Sequence, residues 1–143
     1  MSLFIDTGVF YAHQHERAPR HEAARTALAE VATGTHGRLV TSEYVFDETV
    51  TLVRRRTGRF DAARAVADRI RGVDPFPTTF ELLFVREDVF ERSVDRFETF
   101  HDHSLSFTDA STIALVDAYD VDAVLSFDDD FDGLVERVDP DDI

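Results

Sequence analysis

Four acidic residues stand where solvation alone does not put acids. Asp6 directly follows the apolar run Leu3-Phe4-Ile5, and Asp128 directly follows Val124-Leu125-Ser126-Phe127. Each falls at the carboxyl end of a short apolar strand, where it either caps the next turn or faces a ligand. Glu48, in SEYVFDETVTLVRR, shares a helix face with Tyr44, Val45 and Leu52, its neighbours three and four residues away. A carboxylate in an apolar stripe is costly unless paired or metal-bound; an ion pair to a nearby arginine, or a stripe edge touching water, is the plainer alternative. Asp109 closes Ser106-Phe107-Thr108-Asp109, the pattern of a capping box, yet its helical neighbours Thr112, Ile113 and Val116 are mostly apolar. If these acids converge, their charges cannot all persist without a cation, and an oxygen-only ligand set suits Mg²⁺ or Mn²⁺. No HExxH or His/Cys cluster competes for zinc. His101 and His103 flank Asp102 without a third ligand and read as surface residues.

Composition makes position the only useful filter. The chain has 29 acidic residues against 15 basic ones and a formal net charge of −14. Every basic residue is arginine. An acid at a random position therefore means little. Within VLSFDDDF, Asp129 reads as surface; so does Asp130, although it could reach a second metal through water. A lysine-free acidic surface suits molar salt, where the Debye length is only ~3 Å, and it resembles the surfaces of proteins from salt-accumulating halophiles. At ordinary ionic strength the charge argues against a nucleic-acid partner; strong salt removes most of that objection.

A chain of 143 residues without cysteine predicts a single domain, 1–143, with an ordinary core and no disulfide framework. No run approaches the ~18 apolar residues of a membrane span, and MSLFIDTG has no basic leader, so a cytoplasmic protein is expected. Strands are predicted at Leu3–Ile5, Arg38–Val40, Glu81–Val85 and Ala123–Phe127, with another at Leu134–Val138. Helices are predicted at Thr7–His13, Arg20–Ala32, Ser42–Arg56, Phe60–Arg71, Glu87–Phe100 and Thr108–Ala118. Glu43, Asp47 and Arg54 fall on a face that looks solvated. Phe90, Val94, Phe97 and His101 form an apolar stripe at helical spacing. Alternating strands and helices imply an α/β fold with a central parallel sheet of four to five strands, helices on both faces and ligands at the strands' carboxyl ends.

Other families with acids at strand ends fit poorly. A haloacid-dehalogenase-type phosphatase needs DxDxT after its first strand, but Asp6-Thr7-Gly8 puts glycine at the second acid. A receiver domain needs a late lysine, and there is none. No Walker A or GxGxxG motif is present. By contrast, LFIDTGVF, TSEYVFDETVTLVRRR, HSLSFTDASTIAL and DAVLSFDDDF closely resemble, in order and wording, the PIN domain and within it the VapC toxins of type II toxin–antitoxin modules. The resemblance spans essentially the whole chain. It implies a three-layer α/β/α sandwich, Mg²⁺- or Mn²⁺-dependent hydrolysis of RNA phosphodiesters, and metal-binding acids at Asp6, Glu48, Asp109 and Asp128. Thr7, Thr108 and Ser126 border those positions and could orient them by hydrogen bonds. Arg54, Arg55, Arg56 and Arg59 are candidates for contact with RNA or with a small antitoxin protein seated on the helices of Ser42–Arg71. The resemblance also implies a homodimer. Two other jobs remain open: a housekeeping RNA-processing nuclease without an antitoxin, and a non-catalytic binding module.

Overall fold

The computed structural model describes all 143 residues. Strands β1 (Ser2–Ile5), β2 (Arg38–Ser42), β3 (Glu81–Leu83), β4 (Ala123–Leu125) and β5 (Arg137–Val138) form one parallel sheet in the order β3-β2-β1-β4-β5. Six helices flank it: α1 (Thr7–Gln14), α2 (His21–Val31), α3 (Glu43–Thr57), α4 (Phe60–Arg71), α5 (Glu87–Thr99) and α6 (Phe107–Ala118). Right-handed crossovers carry α1–α4 over one face as the chain steps from β1 to β2 to β3. The return from β3 to β4 carries α5 and α6 over the other. The packing agrees, since α1 touches α2, α3 and α4 while α5 packs on α6. This is the expected α/β/α sandwich with a parallel sheet. No helix is long and apolar enough to cross a membrane.

Leu3, Phe4 and Ile5 of the central strand are fully buried and anchor the core on both faces of the sheet. Winding reverses at this strand, because β2 lies on one side of it and β4 on the other. The crevice beyond the carboxyl ends of β1 and β4 is therefore the topological switch point, where open parallel sheets place their ligands. Gly58 and Gly72 end α3 and α4 at φ 68°, a left-handed conformation that glycine adopts without a Cβ clash.

Several expectations need correction. β3 stops at Leu83, short of Val85, because the Val85 N–H leaves the ladder and donates to both carboxylate oxygens of Glu43 at 2.9 Å. Glu43 is thus a half-buried pin rather than a solvated acid. β4 stops at Leu125, where Ser126 turns its side chain toward the site, and β5 is two residues long rather than five. The inner face of α5 is Val89 and Ser93. Phe90 and Phe97 instead lean on the Phe107 ring, with centroids at 5.9 and 5.7 Å, and stay 42% and 44% exposed.

Candidate active site

The four selected acids line one cavity of about 630 Å³ at the switch point. Asp6 leaves β1 at the N-cap position of α1 but makes no side-chain capping bond. Its carboxylate accepts a hydrogen bond from the Ser126 hydroxyl at 2.6 Å instead. The same hydroxyl oxygen accepts the Asp128 N–H at 3.0 Å, so Ser126 ties the ends of β1 and β4 together. One oxygen of Asp128 caps the short turn Asp129–Phe131 through the Asp130 N–H at 2.9 Å. Asp109 and Ser106 form the expected capping box, each side chain accepting the other's backbone N–H at 3.0 Å. Glu48 lies on α3, and helical spacing brings Leu52 and Arg56 into the same cavity, four and eight residues on.

Burial pushes the Asp6 carboxyl up to about 7; the Ser126 bond opposes this, and the charges of Asp109 and Glu48 add to it. Burial likewise pushes Asp109 up to about 6, with Ser106 opposing and Asp128 and Glu48 adding. The four acids therefore feel one another's charge. No arginine, histidine or amino terminus forms an ion pair with any of them; every salt bridge in the chain lies elsewhere. Thr7 lines the cavity, and its hydroxyl is buried without a partner. Concentrated negative charge, all-oxygen donors and an orphan hydroxyl fit a hard divalent cation. Asp6, Glu48, Asp109 and Asp128 would hold it.

The other expected residues divide. Ser126 bonds directly to Asp6, whereas Thr108 uses its backbone carbonyl to accept the Ser111 and Thr112 hydroxyls. Ser106 does the orienting at Asp109. Of the arginine cluster only Arg56 lines the cavity; Arg54 lies over Phe60, Arg59 pairs with Asp61, and Arg55 is exposed. Asp129 is exposed at the cavity rim, and Asp130 is half-buried rather than surface. The carboxylates of Asp128, Asp129 and Asp130 come within 4.8 Å of one another. Asp128 and its neighbours hold the Asp130 carboxyl above its ordinary range, and His103 opposes them. Tyr11, Arg20 and Phe127 also line the cavity and were not expected there. Tyr11 lies one helical turn from Thr7, a usable signal; Arg20, expected as the first residue of a helix over Arg20–Ala32, is instead the N-cap of α2, and its spacing gave no sign of the cavity. A larger concavity of about 1040 Å³ runs along α2 past His13 and Arg69. It contains none of the four acids, and His13 is pushed down to about 4 by burial and by Arg69.

A switch-point crevice on a parallel α/β/α sandwich thus gathers four carboxylates, none of them in an ion pair. The PIN domain matches residues 3–136, and the chain belongs to that family. The 23S rRNA-specific endonuclease VapC20 of Mycobacterium tuberculosis is 28% identical over 136 residues, covering 94% of this chain and 96% of the relative. The crystal structure of Mycobacterium tuberculosis VapC20, described as a sarcin-ricin loop cleaving toxin, superposes with a TM-score of 0.77 at 26% identity, covering 90% of this chain and 92% of that one. A toxin–antitoxin complex from Klebsiella pneumoniae shares the fold, with a TM-score of 0.64 at 18% identity over 98% of both chains.

Proposed function

We propose that this chain is a divalent-metal-dependent endoribonuclease, the toxin of a toxin–antitoxin pair, with Mg²⁺ or Mn²⁺ held by Asp6, Glu48, Asp109 and Asp128. The observation that carries the reading is the set of four carboxylates lining one cavity, none of them held in an ion pair, although Arg20 and Arg56 line it too. The likeness to VapC20, an rRNA endonuclease, over nearly the whole chain supports the substrate class.

A bound divalent ion supplies charge relief to a phosphodiester under attack by water. The protein's own groups do the rest. Ser126 and Ser106 fix the directions of Asp6 and Asp109. Asp6, its carboxyl pushed up to about 7 by burial, would give up its proton on holding the cation. Arg56 and Arg20 offer guanidinium donors to the phosphate backbone.

The partner we infer is a small antitoxin, a class of partner supported by the toxin–antitoxin complex that shares this fold; we place it against α3 and α4, where Arg54, Arg55, Arg56 and Arg59 cluster. We also infer a homodimer working in the cytoplasm, with residues 1–143 folding as one unit. The test is RNA cleavage with Mn²⁺ in high salt, wild type against Asp6→Asn and Asp109→Asn. Loss of cleavage in both variants, with Mn²⁺ binding abolished, is expected. Undiminished, metal-independent cleavage by the variants would overturn the reading. Growth arrest on expression, relieved by the product of a neighbouring short reading frame, separates a toxin from a housekeeping nuclease.

A further inference from the structure

Two aromatic rings line the acidic cavity, and the carboxylate chemistry uses neither. The Arg56 guanidinium lies over the Tyr11 ring, 5.0 Å from its centroid, and Arg20 lies over the Phe127 ring at 4.9 Å. All four residues line the cavity. Both arginines are exposed, and neither pairs with a carboxylate, in a chain carrying 29 acids. The rings, in contrast, are held. Both pack against the hydrophobic core. The Tyr11 hydroxyl is hydrogen-bonded to His15 Nδ1 at 2.7 Å, and the His15 ring meets it edge-on at 5.4 Å. The pattern is a fixed flat surface covered by a cation that is free to leave.

An exposed guanidinium gains little from a ring face. It gains more from a phosphate, which its planar fork engages through paired, charge-assisted hydrogen bonds. A ring face so vacated is a stacking surface for a nucleobase, the main way proteins hold unpaired RNA. We propose that Tyr11 and Phe127 are base-stacking platforms of the nuclease site, and that Arg20 and Arg56 turn from the rings to backbone phosphates as bases take their places. This rests on the ribonuclease reading above and adds how the substrate is positioned. Stacking accepts any base, so the platforms select unpaired RNA over duplex rather than one sequence over another.

The test is a short single-stranded RNA carrying 2-aminopurine, titrated into protein made inactive by Asp109→Asn. Stacking quenches the fluorophore. Adding Phe127→Leu or Tyr11→Leu is expected to remove the quenching and to weaken binding by roughly ten- to a hundredfold. Tyr11→Phe keeps the ring and retains most of both. A second arm leaves the protein untouched: the same RNA with abasic sites is expected to bind the Asp109→Asn protein weakly by a similar factor. Abasic RNA that binds as tightly as the parent, with quenching unchanged in the leucine variants, overturns the platforms while cleavage by the wild type keeps the nuclease reading. A wild type that cuts no RNA in the presence of Mn²⁺ overturns both.

Discussion

Replacing Asp6 by asparagine should stabilise the metal-free protein, although it removes a residue assigned to the metal site. Asp6 is buried, and its carboxyl titrates at about 7 rather than at its ordinary 3.8. Below pH ~4 it is protonated in both folded and unfolded chains and costs nothing. Between pH ~4 and ~7 the unfolded chain ionises and the folded one does not, so folding stability falls as pH rises. Above pH ~7 the full cost is present, and at 1.36 kcal/mol per pH unit it comes to about 4 kcal/mol. Asparagine keeps the shape and an acceptor for Ser126 but leaves a buried amide donor short of partners, which takes back about 1–3 kcal/mol. The net gain is about 1–3 kcal/mol, on the order of 5 °C in Tm for a chain of this size. The assay is thermal unfolding at pH 8 in molar salt with chelator, repeated at pH 4, where the ionisation cost is gone and only the amide penalty of about 1–3 kcal/mol remains, so the variant should melt below the wild type. Added Mn²⁺ at about a hundred times its Kd should raise the wild type by about 2.7 kcal/mol and leave Asp6→Asn almost unchanged. An asparagine variant that melts at or below the wild type in chelator at pH 8, and that Mn²⁺ stabilises equally, would refute the idea that Asp6 is a buried charge waiting for a cation.

Three further outcomes follow from the same geometry. Ser126→Ala removes the 2.6 Å bond to Asp6 and the acceptor for the Asp128 N–H; Mn²⁺ affinity, measured by calorimetry, should fall by about 10–100-fold while the fold persists. Because Asp6 and Asp109 ionise at about 7 and 6, protons compete with metal below those values. Mn²⁺ affinity should rise from pH 5 to pH 8 and flatten above, with proton release visible as a dependence of binding heat on buffer. Glu43→Ala frees the Val85 N–H and should cost about 1–3 kcal/mol in a denaturant melt without altering Mn²⁺ affinity, since Glu43 lies outside the cavity lining.

The sheet, its parallel sense and the six helices were legible because strand-length apolar runs alternate with helical periodicity. The clustering of the acids was legible for a simpler reason. Asp6 and Asp128 had to stand at strand ends, and a parallel sheet brings strand ends together. Periodicity could not resolve which side of an acid was spoken for. Asp6 and Asp109 both looked like caps, yet Asp109 caps and Asp6 does not; the difference is the Ser126 hydroxyl, 120 residues away in sequence. Glu43 was misread because its partner is a backbone N–H released where β3 ends early. Phe90 and Phe97 satisfy a helical stripe, but that stripe meets Phe107 at the surface rather than the core. Arg20 was read as the start of a helix, but it stands at that helix's N-cap, and only the tertiary path of the chain brings it to the cavity.

The net charge of −14 sets a condition on how this protein can engage a polyanion. Through water at low ionic strength its field repels RNA before any contact forms. In molar salt the Debye length is ~3 Å, so that repulsion is removed at contact-scale range, and long-range attraction is removed with it. Binding must then rest on interactions that act at touching distance: a divalent ion shared between carboxylates and phosphate, a guanidinium fork, a stacked base. The acids of the site form no ion pair with the chain's arginines, and Arg20 and Arg56 beside them pair with no acid. The arginines that pair do so away from the cavity lining, as Arg38 does with Glu81. Unpaired charge of both signs is thus concentrated where the substrate would lie. A surface this acidic and a phosphodiester substrate are compatible because the short-range groups at that one place, rather than the overall field, do the binding.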